Sequence, residues 1–320
     1  MSNAVEKLNT IAIGSIAKLN TLTDGNIEKL NTLVFSGYTA LSWATGGNIN
    51  TSRDGHTQHG TASEGMLTAG YTGSAALVST EEYNGTAWSA IDGGNLAFTD
   101  GSGGTFGFGT QGAAVNSGGY SSDEEDRTEE YDGATWSSGG DLNTAMYGAA
   151  SWGTQAAGVC VGGTLFGPTQ RDRQTTQEYA SSSWSSANNC STGTSQSACF
   201  GTLGAGIKAT GASGGSSATD TTTCESYDGT DWSSINSMST GRRYAAGFGS
   251  ATRGFVSGGE VSGTSQISTE TFDGTSWSGD TNLPAAKHLA AQGMGGATTR
   301  GGYLAGGTES SRTNTTYTAS

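Results

Sequence analysis

The reactive side chains of this sequence recur at a fixed interval. Eleven residues after each of six tryptophans stand Asp54, Thr99, Tyr147, Ser195, Arg243 and His288. If equivalent positions of successive units converge about an axis, a carboxylate, a phenol, a guanidinium and an imidazole meet there. That set can grip a sugar or a carboxylate. Asp54, Tyr147, Arg243 and His288 are therefore the expected lining of an axial ligand site, and the competing reading of the same positions is packing around a pore with no ligand. His56, His59 and His288 are the only histidines, and imidazole is a common metal ligand. His56 and His59 stand three apart on one strand, which points them to opposite faces, and no carboxylate motif frames them. Neither a metal nor a cofactor is expected.

The remaining candidates read as structural. The acidic run Ser121-Ser122-Asp123-Glu124-Glu125-Asp126 lacks the alternating spacing of an EF-hand loop, so it is expected to be a solvated loop. Cys160, Cys190, Cys199 and Cys224 have neither CxxC spacing nor a nearby His, which excludes a zinc motif. Cys224 holds the place of Thr80, Thr128, Thr176 and Thr269 in other units, three residues before the aromatic, and reads as a small half-buried strand residue. A Cys190 to Cys199 disulfide is the alternative for that pair. No nucleophile elbow, P-loop or HExxH is present, so no catalytic residue is nominated and an enzyme is not expected.

The tryptophans that set the interval close a recurring unit, clearest as Glu130-Tyr131-Asp132-Gly133-Ala134-Thr135-Trp136. An aromatic residue is followed five positions later by Trp across a Gly-centred turn, in Tyr38/Trp43, Tyr83/Trp88, Tyr131/Trp136, Tyr179/Trp184, Tyr227/Trp232 and Phe272/Trp277. Successive tryptophans lie 45, 48, 48, 48 and 45 residues apart, and Trp152 alone stands outside the series. A period of this size signals a solenoid or a propeller. After each Trp comes a strand of small residues with glycine, as in Ala245-Ala246-Gly247-Phe248-Gly249, suited to the crowded inner edge of a wedge. Next is a short strand ending in a Gly pair, as in Val256-Ser257-Gly258-Gly259, degenerate at Ala69-Gly70 and Thr210-Gly211. A variable Ser/Thr/Gly loop then leads to the Tyr strand and the Trp strand. Four strands per unit make a propeller blade.

There are six such segments, and the sixth reaches Tyr317 without a following Trp. Conversely, the stretch from Tyr38 to Trp43 is an outer strand with no blade before it. The two deficits match, which predicts that residues 39–45 complete the blade built from 286–318 and leave no open sheet edge.

Composition supports an all-β chain. The hydrophobic fraction is 33% with 54 glycines, yet 27 aromatic residues recur in register, which separates this sequence from a disordered one. Its net charge of −14 opposes binding to nucleic acid or anionic lipid. No apolar run of about 18 residues exists to insert into a membrane, and no apolar core of a secretory leader is present at the start.

Residues 1–37 follow a different rule. Glu6-Lys7-Leu8-Asn9-Thr10, Ala17-Lys18-Leu19-Asn20-Thr21 and Glu28-Lys29-Leu30-Asn31-Thr32 are copies 11 residues apart. Val5, Leu8, Ile11, Ile16, Leu19, Leu22, Ile27, Leu30 and Leu33 fall on one stripe of a helical segment, because three α-helical turns take about 11 residues. Thr23-Asp24-Gly25-Asn26 reads as a turn within it. A short segment cannot bury that stripe alone, so it is expected either to dock on other subunits or to pack across its own propeller.

A Gly pair, then an aromatic, then Trp, recurring in register over residues 38–320, resembles the kelch repeat. The resemblance implies an all-β, six-bladed kelch-like propeller, closed by an N-terminal outer strand and preceded by a short helical repeat segment. It also implies that the Tyr and Trp are blade-core residues and not sugar platforms. Together with the Lys-Leu-Asn repeats, the chain is similar to kelch-like propeller proteins carried as appendages on tailed bacteriophages. That resemblance implies a virion structural protein assembled in the host cytoplasm, anchored to other virion proteins by residues 1–37, a homo-oligomer in one arrangement, and displaying the 38–320 propeller to a host glycan or receptor. A glycan-active enzyme using the axial pocket and a capsid or neck decoration without ligand are the competing readings. Sialidase-like proteins also repeat Asp and Trp turns, but Asp-Gly-Thr-x-Trp is shorter than their box.

Overall fold

The computed structural model describes residues 40–98, 104–165, 171–215, 218–288, 294–295, 301–309 and 311–320. The 1–37 segment, with its whole apolar stripe from Val5 to Leu33, and Tyr38 lie outside them. No α-helix occurs among the described residues, and the strands assemble as six propeller blades.

Each of blades 1 to 5 is an antiparallel meander ordered from the axis outward. Blade 1 comprises Thr57–Gly60, Gly65–Thr68, Thr80–Tyr83 and Trp88–Ala90. Blade 2 runs from Phe106–Thr110 to Trp136–Ser138, blade 3 from Ala150–Thr154 to Ser183–Ala187, blade 4 from Ala198–Thr202 to Trp232–Ile235, and blade 5 from Ala246–Ser250 to Trp277–Asp280. In blade 6, Tyr303–Ala305 pairs with Thr316–Ala319, and Trp43–Thr45 pairs antiparallel with Thr316–Ala319 on its outer side. Reciprocal backbone bonds of 3.1 Å between Ser42 and Ser320 extend that contact. Met294–Gly295 runs parallel to Gln58–His59 of blade 1.

The Tyr and Trp of each unit face one another across the third and outer strands. Tyr83, Tyr131, Tyr179, Tyr227 and Phe272 pair in register with Trp88, Trp136, Trp184, Trp232 and Trp277, with ring centroids 4.8–5.0 Å apart. Such aromatic pairs contribute about 0.5–1.5 kcal/mol beyond their buried area. The indole nitrogen reaches across to the preceding blade. Trp136, Trp184 and Trp232 donate from Nε1 to the hydroxyls of Thr80, Thr128 and Thr176 at 2.9–3.0 Å, and Trp88 donates to Thr316 at 2.9 Å. The tyrosine hydroxyls do likewise, Tyr131 to Glu82, Tyr179 to Glu130 and Tyr227 to Glu178. These residues are blade-core staples, as their register implies.

That pattern corrects the alignment of blade 6. Because Thr316 plays the part of Thr80, Tyr317 takes the place of Glu81 and Ala319 takes the place of the core tyrosine, opposite Trp43. Tyr317 accordingly lies against a buried cation, with Lys287 Nζ 4.9 Å from its ring centre. Trp43 packs edge-on against Phe248 instead and donates to Thr281 O.

Trp152 also gains a place. It occupies the third position of its inner strand, as Phe108, Phe200 and Phe248 do in theirs, and each of these rings covers a glycine on, or for Phe248 directly before, the next blade's second strand. A Cβ on Gly206 would stand 2.3 Å from the Trp152 ring, so only glycine admits it. Small residues therefore flank a large ring at the third position of these four inner strands.

The six Gly-pair sites share one backbone shape. Both residues adopt positive φ at Gly118-Gly119, Gly162-Gly163, Gly258-Gly259 and Gly306-Gly307, and equally at Ala69-Gly70 and Thr210-Gly211. Thr210 tolerates φ 56 with its hydroxyl donating to Arg242 O at 2.6 Å and accepting from Arg242 N at 2.7 Å.

The interior carries paired charges. Arg53 with Glu81, Arg242 with Glu270, and Lys208 with Glu225 lie 2.6–2.8 Å apart and are essentially closed to solvent. In blades 1, 4 and 5 the same carboxylates accept backbone N–H groups of the loop entering the inner strand, from Asn50, Ser191 and Ser239. Blade 3 makes the arrangement neutral, with Gln177 Nε2 donating to Met146 Sδ and its Oε1 accepting from Thr144 N. All four cysteines are buried free thiols. The Cys190 to Cys199 bridge does not form, because Cys199 sits on an inner strand and donates to Ser151 O, while Cys190 receives Lys208 Nζ.

Candidate functional site: a hairpin rim around the axis

Asp54, Tyr147, Ser195, Arg243 and His288 occupy equivalent places. Each forms an isolated antiparallel bridge with the residue that follows its blade's Gly pair: Tyr71, Thr164, Ala212, Glu260 and Thr308. Positive φ at both pair residues turns the chain back to make that bridge. In blade 2 the loop is longer. Gly104, the counterpart of Gly148, stands 16 residues after Trp88 where the others stand 12 after theirs, so Thr99 is displaced from the series, and it lies outside the described residues.

The next residue in each unit links the blades. Gly104 N donates to Gly55 O, Gly148 N to Gly104 O, Gln196 N to Gly148 O and Tyr244 N to Gln196 O. All five have positive φ, including Gln196 at 53° and Tyr244 at 56°, a strained conformation for side chains of their size. The bonds run around the rim from blade to blade.

In blades 3, 4 and 5 the loop after the Gly pair forms a two-stranded hairpin: Thr164–Leu165 with Arg171–Asp172, Ala212–Ser213 with Thr219–Asp220, and Glu260–Val261 with Thr264–Ser265. Aspartates join neighbouring hairpins. Asp172 Oδ2 accepts from Gly215 N and Asp220 Oδ2 accepts from Ser262 N, both at 2.9 Å. The result is a polar wall beside the rim.

Charges on the rim are tied in a chain. Arg243 Nε lies 3.1 Å from Asp220, an ion pair without hydrogen-bond alignment, and 3.5 Å from Glu260. His288 Nε2 is 3.6 Å from Glu260 while its Nδ1 bonds Ser265 Oγ at 2.7 Å. Arg312 pairs with Asp54 at 2.8 Å, and Thr308 donates to the same carboxylate. Burial holds the His288 imidazole below its ordinary pKa, against the pull of Glu260 and Asp54, so the ring is neutral at pH 7. Burial likewise pushes the Tyr244 phenol up to about 12, with Tyr147 adding to the effect.

The structure brings the four expected residues to one rim without bringing all of them into one cavity. Arg243 lines a space of about 280 Å³ with Ser195, Gln196, Tyr244, Thr164 and Asp172. Tyr147 lies over the backbone of Gly104 and meets Tyr120 edge-on, Asp54 is held by Arg312, and His288 is held by its hydrogen bond to Ser265. His56 and His59 are fully buried between blades, and burial first of all lowers both imidazoles to about 3, which keeps them neutral. The acidic run forms the loop after Gly118-Gly119, where Glu125 pairs with Arg127. The hairpin aspartates and Tyr244 were not singled out by residue spacing, because the loops that carry them differ in length between units. The buried cations had a readable signal, a 28-residue spacing from Arg53 to Glu81 and from Arg242 to Glu270.

Fold and rim together define a six-bladed β-propeller. The chain is similar in fold to the solved structure of YjhT, with a TM-score of 0.69 and 11% identity over 84% of this chain and 95% of that one. No protein-family model matches the sequence, and no curated protein matches it.

Proposed function

We propose that this chain is a kelch-like adhesion propeller, attached to a virion through residues 1–37 and presenting the hairpin rim to a host-surface glycan or receptor. The rim carries this reading. Equivalent positions of successive blades present side chains of different chemistry, Tyr147, Ser195, Arg243 and His288, on a backbone ring stiffened by inter-blade hydrogen bonds. Side chains fixed by their neighbours suit recognition, since little ordering remains to oppose binding. The Gly pair, Tyr and Trp register supports the kelch likeness, and the pairing of Trp43–Thr45 with Thr316–Ala319 supports closure of the ring by the chain's early outer strand. Attachment rests on the 11-residue repeats and the phage-appendage resemblance.

The test is binding of the full chain to a glycan array, with product analysis of every ligand found. Retention without turnover, weakened by Arg243→Ala, is the expected result. Product release from a bound glycan favours the enzyme reading, and no retention on glycans or host cells sinks the adhesive one. Deleting residues 1–37 is expected to abolish incorporation into particles while leaving the propeller folded; unchanged incorporation refutes the anchor.

A further inference from the structure

Arg171 and Arg173 depart from the pattern of paired charge. The interior cations meet glutamates, and the rim cations Arg243 and Arg312 meet Asp220 and Asp54. Neither Arg171 nor Arg173 has a carboxylate within ion-pairing distance among the described residues, in a chain of net charge −14. Both line a cleft of about 610 Å³ that the hairpins of blades 3 and 4 help to wall. Arg173 Nε is shielded from solvent and has no hydrogen-bond partner, a state that buried donors seldom keep. Burial lowers the Arg173 pKa, Glu124 opposes that, and the neighbouring Arg171 charge adds to it. The cleft's own carboxylate does not answer this need. Asp172 Oδ2 accepts Gly215 N at 2.9 Å and its Oδ1 accepts the Thr164 hydroxyl at 3.4 Å, so it is spent on the hairpins.

The rest of the lining is short and polar. Gln174, Asn189 and Ser213 offer donors and acceptors, and Gly193 and Gly214 leave backbone accessible, with Leu165 the apolar contribution. A cleft of this size accommodates a ligand of one or two sugar rings. A guanidinium fork matches the planar oxygens of a carboxylate and also pairs with sulfate.

We propose that the cleft binds the oxyanion of an acidic saccharide, with Arg173 and Arg171 on its carboxylate or sulfate and Gln174, Asn189 and Ser213 on its hydroxyls. The proposal rests on the adhesive reading for its choice of a glycan. It is tested by calorimetric titration of the full chain with trigalacturonate, a sulfated disaccharide, neutral galactotriose and inorganic sulfate. Arg171→Gln and Arg173→Gln are each expected to weaken the acidic ligand by about 10- to 100-fold, the size of a lost charge-assisted contact. Arg127→Gln removes the same charge from the neighbouring blade 2 loop, where Arg127 pairs with Glu125 and does not line the cleft, and is expected to leave affinity unchanged. The stronger of the two acidic ligands identifies the oxyanion. Equal affinity for galactotriose, or an Arg171→Gln effect no larger than that of Arg127→Gln, overturns the cleft while leaving adhesion at the rim intact. Binding of inorganic sulfate that both arginine variants abolish, with no saccharide bound anywhere, keeps the anion site and removes the adhesive reading. Because Arg171 is exposed, its variant reports on binding even if Arg173→Gln fails to fold.

Discussion

Replacing Cys224 by Thr is expected to stabilise the ring. In four interfaces an indole N–H reaches a threonine hydroxyl of the preceding blade at 2.9–3.0 Å. Between blades 4 and 5 the threonine's place is held by Cys224, and Trp277 Nε1 is buried with no hydrogen-bond partner. Leaving a buried donor unsatisfied costs about 1–3 kcal/mol, and a made bond returns about 0.5–1.5 kcal/mol net. Threonine already fits this slot in neighbouring blades, so overpacking is small and the gain from Cys224→Thr is about 1 kcal/mol. In a ring of this size that raises Tm by about 2 °C. The measurement is urea denaturation of wild type, Cys224→Thr and Cys224→Val, together with hydrogen exchange at the Trp277 indole. Thr should slow that exchange and raise the midpoint, while Val, of the same shape but without an acceptor, should do neither. Equal gains from Thr and Val would refute the hydrogen-bond reasoning and leave packing as the cause.

Glu270→Gln leaves Arg242 buried without its counter-charge and should cost about 3–5 kcal/mol in urea melts; adding Arg242→Met, which copies Met146 and Gln177 of blade 3, should recover most of that loss. Among the described residues Glu129 in blade 2 has no cation within ion-pairing distance and its Oε2 is buried without a partner, and burial raises its pKa above the ordinary 4.5. Its protonated form therefore favours the folded state, and the stability it lends falls as pH rises from its unfolded value through its folded one. Glu129→Gln is accordingly expected to stabilise at pH 7, with the gain shrinking to nothing below the ordinary carboxylate range; a gain independent of pH would contradict this. Gly206→Ala drives a methyl into the Trp152 ring and should destabilise by about 1–3 kcal/mol, with partial rescue by Trp152→Phe, both read from denaturation midpoints.

The blades were legible because their information is periodic. Tyr, Trp and the turn glycine recur at 45 or 48 residues, and each has one physical task per blade. Tyr317 misled because an aromatic residue near the end of a unit looks like the core tyrosine, whereas the decisive marker is Thr316, which receives the indole bond. Trp152 looked anomalous for a related reason. Its counterparts are Phe108, Phe200 and Phe248, so the shared property is ring size at one inner-strand position and not residue identity. The rim was half legible. Counting from Trp found Asp54, Tyr147, Arg243 and His288, since strand register fixes them, but the partners Asp220 and Arg312 lie on loops whose lengths vary. Burial of the Arg53, Arg242 and Lys287 positions one residue earlier was missed, because a cation beside a turn reads as exposed until its glutamate or tyrosine is found across the sheet.

The indole-to-threonine bonds have a direction, each Trp donating backward across 56 residues of chain in the blade 1 to 2, 2 to 3 and 3 to 4 contacts. That reach exceeds the 48-residue period, so every donor and its acceptor straddle a unit boundary. Excising one whole unit removes one donor and one acceptor and brings a compatible pair face to face. Such rings can change blade number by unequal recombination of their genes without losing a bond, provided the new junction avoids Cys224 and Trp277.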